Sequence, residues 1–325
     1  MTQVREDTAP DQSGPAAGRP GAVASRRRRR RYSVLTRRDK IILTLMVGIP
    51  LLLDLIFIWG PAIASVIFSF TDWNGIHGIS ADNWVGLGNY QKLISSYAPF
   101  WEGVKHNILW FLVLMFIATP IGMFFAVLLD RELRGGRIYQ TIFYTPVVLS
   151  LAVVGLIWEL QYSQDNGLID SVLRVFNVQP VDWLGDPSIN LWAALVAASW
   201  RHVGYIMVLY LAGLKSVDPS LREAAAIDGA NGVQTYIHVV FWVMMPINTV
   251  IVVVTSIEAL RAFDIAYIIN HGKNGLELLS TLITNSSISE ANLIGFGSAI
   301  AVALLVISLV PIVIFLTRIT REERG

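Results

Sequence analysis

A few ionisable side chains interrupt stretches of this sequence that are otherwise apolar: Asp54, Glu159, Arg201, and the trio Glu258, Arg261 and Asp264. A charge at bilayer depth is costly, so such a residue faces a cavity, a partner or an opposite charge. The spacing of three within the trio allows a local ion pair along one helix. Arg201 has no acid one turn away in its own stretch and is read as facing a cavity. Trp200, Tyr205, Asn248 and Tyr267 add aromatic faces and planar hydrogen-bonding groups, which is what a sugar would need. The Arg201 guanidinium equally suits a phosphate. These five residues form the candidate solute path.

Chemistry of other kinds has little to work with. The histidines, His77, His106, His202, His238 and His271, are scattered and lack the H-E-x-x-H spacing of a zinc site. No G-x-x-x-x-G-K-S/T phosphate loop occurs, and no G-x-S-x-G nucleophile turn. Cysteine is absent, which removes disulfides, thiol catalysis and Cys-bound metals. No catalytic residue, metal or cofactor is assigned to the chain, and energy for any transport has to come from a partner or a gradient.

The elements that position these groups are long apolar runs. With 54% hydrophobic and 15% charged residues and a mean hydropathy of +0.55, the chain is far more apolar than a soluble domain. It reads as an all-α polytopic membrane protein. Six stretches, 41–70, 104–129, 139–160, 191–214, 239–262 and 293–316, reach the roughly 20 residues that a spanning helix needs. Residues 1–39 form a basic tail whose first 31, rich in Pro, Gly and Ala and ending in the arginine run 26–31, cannot bury enough apolar surface to fold alone. A basic run directly before an apolar span marks the cytoplasmic side and anionic lipid, not nucleic acid. Ala62-Ile63-Ala64 mimics a signal-peptidase site, but the preceding run exceeds the core of a leader and contains Pro50 and Asp54. Residues 40–70 are therefore read as a retained first helix. An extracytoplasmic segment, 71–103, follows, with Trp73, Trp84 and Trp101 suited to an interface; residues 104–316 hold five more helices and 317–325 a short tail.

Basic residues fix an orientation. Arg131, Arg134 and Arg137, then Lys215 and Arg222, then Arg318, Arg321 and Arg324 all fall on the side of the N-terminal arginines. The opposite loops carry few bases beside Asp165, Asp170, Asp182 and Asp186, so both termini are expected in the cytoplasm. In loop 161–190, Leu168, Val172, Val175 and Phe176 share one side of a short helix over 168–176, expected to pack on the bundle as a lid.

A polar hairpin, 215–238, separates the fourth and fifth spans on the cytoplasmic side. Asp218 before Pro219 is one possible helix start, and Ser220 with Glu223, a capping box, is another. Glu223 is followed by Ala224, Ala225 and Ala226, small side chains that let another surface come close, and Gly229 and Gly232 permit the turn that ends the helix. The run Glu223-Ala224-Ala225-Ala226-Ile227-Asp228-Gly229-Ala230, with LAGLKSVDP before it and Pro246 beyond, resembles the EAA loop of permease subunits of binding-protein-dependent ABC importers. SFTDWNG at 69–75 and VGLGNYQKL at 85–93 resemble the sugar-type branch of that family, specifically the first of its two paired permeases. One departure is visible: Trp242 stands where the family usually has a proline, four residues before Pro246.

The resemblance covers about residues 40–320 and implies a type I ABC importer permease architecture with six transmembrane helices. It implies that Glu223, Ala224, Ala225, Asp228 and Gly229 belong to a coupling helix that docks in a cleft of a cytoplasmic ATPase. The implied partners are a second permease subunit, a dimer of ATP-binding subunits that carries the ATP, an extracytoplasmic solute-binding protein, membrane lipid, and a sugar of di- or oligosaccharide size. Glycerol-3-phosphate or a related polar solute is the alternative cargo. A gradient-driven carrier, with paired broken helices and buried carboxylates, and an intramembrane enzyme are the readings from other classes. The orientation is directly testable: a reporter fused at Gly185 is expected outside the cell and one at Gly232 inside, and cytoplasmic labelling at position 185 would overturn it.

Overall fold

The computed structural model describes residues 36–131, 134–289 and 292–322; most of the expected N-terminal tail, including the arginine run, and the last three residues lie outside these, whereas the tail expected from 317 continues the last helix as far as Glu322. The chain divides into two compact units, residues 1–55 and 56–325. In the first, α1 (Arg37–Asp54) begins on a capping box: Thr36 Oγ1 accepts the Asp39 N–H at 3.2 Å, and the Asp39 carboxylate accepts the Thr36 N–H at 2.9 Å. None of its residues is buried, and Ile41, Leu45, Met46 and Leu53 stand exposed. A helix apolar all round with nothing packed on it is stable where its solvent is lipid or another chain.

Among the described residues of the second unit, the regular elements are helices, joined by loops and turns and accompanied by an isolated bridge between Thr71 and Trp84. After a π-turn, Leu55–Trp59, come α2 (Gly60–Phe68), which contains Ala62 to Ala64, then α3 (Gly88–Ser95) and α4 (Ala98–Val113). A second π-turn, Leu114–Ala118, joins α4 to α5 (Thr119–Asp130), and α6 (Gly136–Val148), α7 (Leu151–Gln161) and α8 (Leu168–Val175) follow. The long α9 (Asn190–Leu214) leads into the hairpin helices α10 (Pro219–Ile227) and α11 (Gly232–Thr235). Beyond them lie α12 (Phe241–Val243), α13 (Met245–Leu260), α14 (Asp264–Asn270), α15 (Leu279–Thr284) and α16 (Ile294–Glu322). Arg37–Phe68, Ala98–Asp130 and Asn190–Leu214 are each long and apolar enough to cross a membrane unbroken.

Three expected spans differ from their sequence reading. The second begins at Ala98, not at 104, because Pro99 fits the first helical turn, where an N–H has no partner to lose. The third is not straight: α6 and α7 meet at 102°. Leu149 is extended there, and Ser150 Oγ caps a new helix by accepting the Val153 N–H at 3.3 Å. The fifth bends by 75° between Val243 and Met245. Pro246 has no N–H to give the carbonyl of Trp242, so the break is made by Pro246 itself and needs no proline at 242. The short helix α8 forms where expected, but Leu168, Val172, Val175 and Phe176 are exposed, so its apolar side is not packed on the bundle as a lid. The inward residue is Asp170, which accepts the Val181 N–H at 3.3 Å and Trp183 Nε1–H at 3.0 Å.

The centre of this unit is α9. Small residues, among them Ala193, Ala194, Ala197, Ala198 and Gly204, line its buried side and admit α5, α6 and α13. A Cβ on Gly122 of α5 would lie 2.8 Å from the Val203 carbonyl oxygen and 2.9 Å from Ile206 Cβ, and one on Gly204 would meet the Phe143 carbonyl of α6. The 69–75 and 85–93 stretches also meet: Asn89 Nδ2 donates to the carbonyls of Ser69 at 2.9 Å and Thr71 at 2.7 Å, and Tyr90 donates to Ser69 Oγ at 2.7 Å. These motif residues therefore fasten α3 to the end of α2. Gly122→Leu and Gly204→Leu are expected to destabilise the detergent-solubilised protein by about 1–3 kcal/mol through overpacking. Gly48→Ala, with no atom within 4 Å of the added carbon, should leave the same unfolding midpoint unmoved.

Candidate functional site

The hairpin takes its shape from caps at both ends of α10. Asp218 accepts the Ser220 N–H at 2.9 Å, so the Asp218–Pro219 start is used and the Ser220–Glu223 one is not. That backbone hydrogen bond, with the Ser220 hydroxyl, holds the Asp218 carboxyl below its ordinary range. At the other end the Ala230 N–H reaches the Ala225 carbonyl at 3.0 Å and the Gly229 N–H reaches Ala226 at 3.1 Å, the paired closure of a Schellman motif. Gly229 sits at φ +81°, where a residue with a Cβ is strained. Gly232 does not share this role: it opens α11, which is capped by Asn231 through the N–H groups of Val233 at 3.1 Å and Gln234 at 2.9 Å.

Of the predicted docking residues, Ala225 is buried and fixes α10 to the protein, while Glu223, Ala224 and Asp228 are exposed. Ile227, which the sequence reading left out of that set, is 86% exposed. The free face of α10 thus offers two carboxylates, small side chains and one bare isoleucine.

The second centre lies inside the bundle. A cavity of about 200 Å³ is lined by Arg201 and His202 from α9, Glu258 from α13, and Arg261, Phe263 and Asp264 from the following turn. Glu258 does not pair along its own helix with Arg261, as its spacing allowed. One of its oxygens accepts from Arg201 Nη1 at 3.1 Å and the other from His202 Nδ1 at 2.7 Å. A carboxylate can only accept, so Nδ1 carries the proton. His202 Nε2 is then free to accept from the Thr119 and Thr255 hydroxyls, at 3.1 Å and 3.3 Å. His202, at 2% exposure, is thereby satisfied on both ring nitrogens, and α5, α9 and α13 are joined at one point.

Arg201 therefore both lines the cavity and is paired. The other four residues of the expected path lie elsewhere. Trp200 is exposed and sits edge-on to Trp158, and Tyr205 packs into the cluster around Met207 and Tyr210. Asn248 Nδ2 donates across the α12–α13 bend to the Phe241 carbonyl at 3.0 Å. Tyr267 stacks between Phe263 and His271. Sequence reasoning named Glu258 but not its partner, although an arginine inside an apolar span without a local acid calls for one from a neighbouring helix. Thr119 and Thr255 carried no signal in the sequence at all.

Breaking this pair from one side strands a charge. Glu258→Leu is expected to cost about 3–5 kcal/mol, and the double change Arg201→Met with Glu258→Leu at least about 1 kcal/mol less than the sum of the single ones. Chemical unfolding in detergent measures the cycle, and additive costs would show that the two groups do not interact.

Comparison with known proteins bears on the family and the fold. Residues 118–321 match the family described as "binding-protein-dependent transport system inner membrane component". The chain is 32% identical to the xylose/arabinose import permease protein of Haloferax volcanii, over 81% of its own length and 83% of that protein's. It is 31% identical to the alpha-glucoside transport system permease protein of Rhizobium meliloti, over 96% and 90%. In fold it resembles a crystal structure of a bacterial ABC transporter involved in the import of the acidic polysaccharide alginate, with a TM-score of 0.75 at 21% identity, covering 88% of this chain and 96% of that one. With most of α5 to α16 inside the matched region and both relatives aligned over four-fifths or more of the chain, the protein belongs to the binding-protein-dependent transport system inner membrane components, the multi-pass permeases of ABC transporters.

Proposed function

We propose that this chain is one of two different permease subunits of an ABC importer that carries a sugar inward across the cell membrane. Its termini and the α10 hairpin face the cytoplasm, six helical segments span the bilayer, and the chain binds no ATP itself. A dimer of ATPase subunits docks on α10, and an extracytoplasmic binding protein delivers the solute to the opposite face. ATP binding there tilts the membrane helices here, opens the cavity outward, and hydrolysis resets it. The observation that carries this reading is the doubly capped α10, whose Glu223, Ala224, Ile227 and Asp228 side chains stand exposed.

Relatives named for xylose/arabinose import and for alpha-glucoside and trehalose/maltose transport support a sugar as cargo. So does the cavity: Arg201 and Arg261 are matched in charge by Glu258 and Asp264 among its lining residues. A balanced lining gives a neutral, hydroxyl-rich solute its hydrogen bonds without favouring an anion such as glycerol-3-phosphate. The two bent helix pairs are also a feature of gradient-driven carriers, but those need no docking helix, and family membership favours the ATPase-driven reading.

Gly229→Val imposes about 1–2 kcal/mol of left-handed strain at a position with open space around the new side chain, so its effect acts through the turn. Glu223→Ala removes an exposed charge from the docking face. Both variants are expected to insert normally and to lose the ATP hydrolysis stimulated by loaded binding protein in the reconstituted complex, with Gly229→Val also weakening ATPase attachment in a pull-down. Full stimulation in both would reduce the hairpin to a connecting loop.

A further inference from the structure

The coupling helix α10 is continuous in chain with α9 on one side and with α11 to α13 on the other. The chain gives it no link to α5. A side chain supplies one: Arg222, near the middle of α10, donates from Nη1 to Asp130 Oδ2 at 2.7 Å and from Nη2 to the Leu214 carbonyl at 3.3 Å. Asp130 is the last residue of α5 and Leu214 the last of α9. Both acceptors stand at helix C-termini, where unpaired carbonyls favour a cation. The planar guanidinium addresses two acceptors in fixed directions at once, which the point charge of a lysine does not do.

At the far end of α5 is Thr119, hydrogen-bonded to His202 in the polar cluster beside the cavity. From Asp130 to Thr119 is three turns of unbroken helix, about 16 Å. We propose that Arg222 is a positioning residue that clamps α10 to the ends of α5 and α9, so that ATPase-driven movement of α10 is delivered through α5, as a rigid rod, to the cluster at the solute cavity. This rests on α10 being the coupling helix. To the covalent connections through α9 and through α11 to α13 this ion pair, between residues 92 positions apart, adds a link through α5.

The test uses the complete reconstituted importer with its partner permease, ATPases and binding protein. Arg222→Gln and Asp130→Asn are expected to keep membrane insertion, thermal stability, ATPase attachment and basal hydrolysis, and to lose at least about five-fold of the stimulation by loaded binding protein. Arg222→Lys should retain part of it, and the exchange of Asp130→Arg with Arg222→Asp should recover part of what the single changes lose. Unchanged stimulation in Arg222→Gln and Asp130→Asn overturns the clamp, as does a loss accompanied by equal loss of ATPase attachment or thermal stability. An exchange variant no better than either single variant also counts against it. Gly229→Val and Glu223→Ala assayed in parallel separate the two ideas: if only these lose stimulation, the coupling helix stands and the clamp falls, and if no variant loses it, the coupling reading itself fails.

Discussion

The interior of the bundle depends on the carboxylate of Glu258. An arginine and a histidine at the centre of an apolar assembly cannot be hydrated as they would be in water, and a lone guanidinium there would cost several kcal/mol. Glu258 divides its two oxygens between them, and the hydroxyls of Thr119 and Thr255 complete the histidine. Three helices are thereby held in register by polar contacts whose geometry is stricter than that of apolar packing. Arg201, His202 and Glu258 also line the cavity, so the residues that neutralise one another form part of its wall.

The hairpin is built on a different economy. A helix of nine residues is too short to persist alone in water. It is held by Asp218 at its start, the Schellman closure at Gly229, and the Arg222 fork to two neighbouring helix ends. Its outward face is left bare. Rigidity on one side and an empty surface on the other suit an element that receives a push from another protein and passes it on.

Around these two centres the packing obeys the solvent. Apolar side chains on α1 stand exposed, which suits a helix in a lipid medium, whereas α9 is buried on its small-residue side where backbones approach closely. The bends in the third and fifth segments interrupt the regular helical course at Leu149 and Met244. Capping by Ser150 and the Asn248 amide across the second bend restore hydrogen bonds there, the condition for irregular backbone at membrane depth.

Much of this was legible in the sequence wherever the determining contacts are local. Hydropathy over some 20 residues declares a membrane helix, and a capped start at Asp218–Pro219 or Ser220 followed by a glycine five residues after the alanine run begins declares α10 and its closure, because caps act within one turn. The ordered EAA run and the 69–93 stretches carried the family for the same reason. Tertiary structure alone decided that Glu258 answers Arg201, 57 residues away, and not Arg261, one turn away, since that choice depends on which helix faces meet. It also placed Trp200, Tyr205, Asn248 and Tyr267 away from the cavity and bent two segments that hydropathy reads as straight. Hydrophobicity records how much of a segment avoids water; it does not record which neighbour each face finds, and in a bundle apolar on nearly every side only the packed neighbours distinguish a residue that lines a path from one that fills a core.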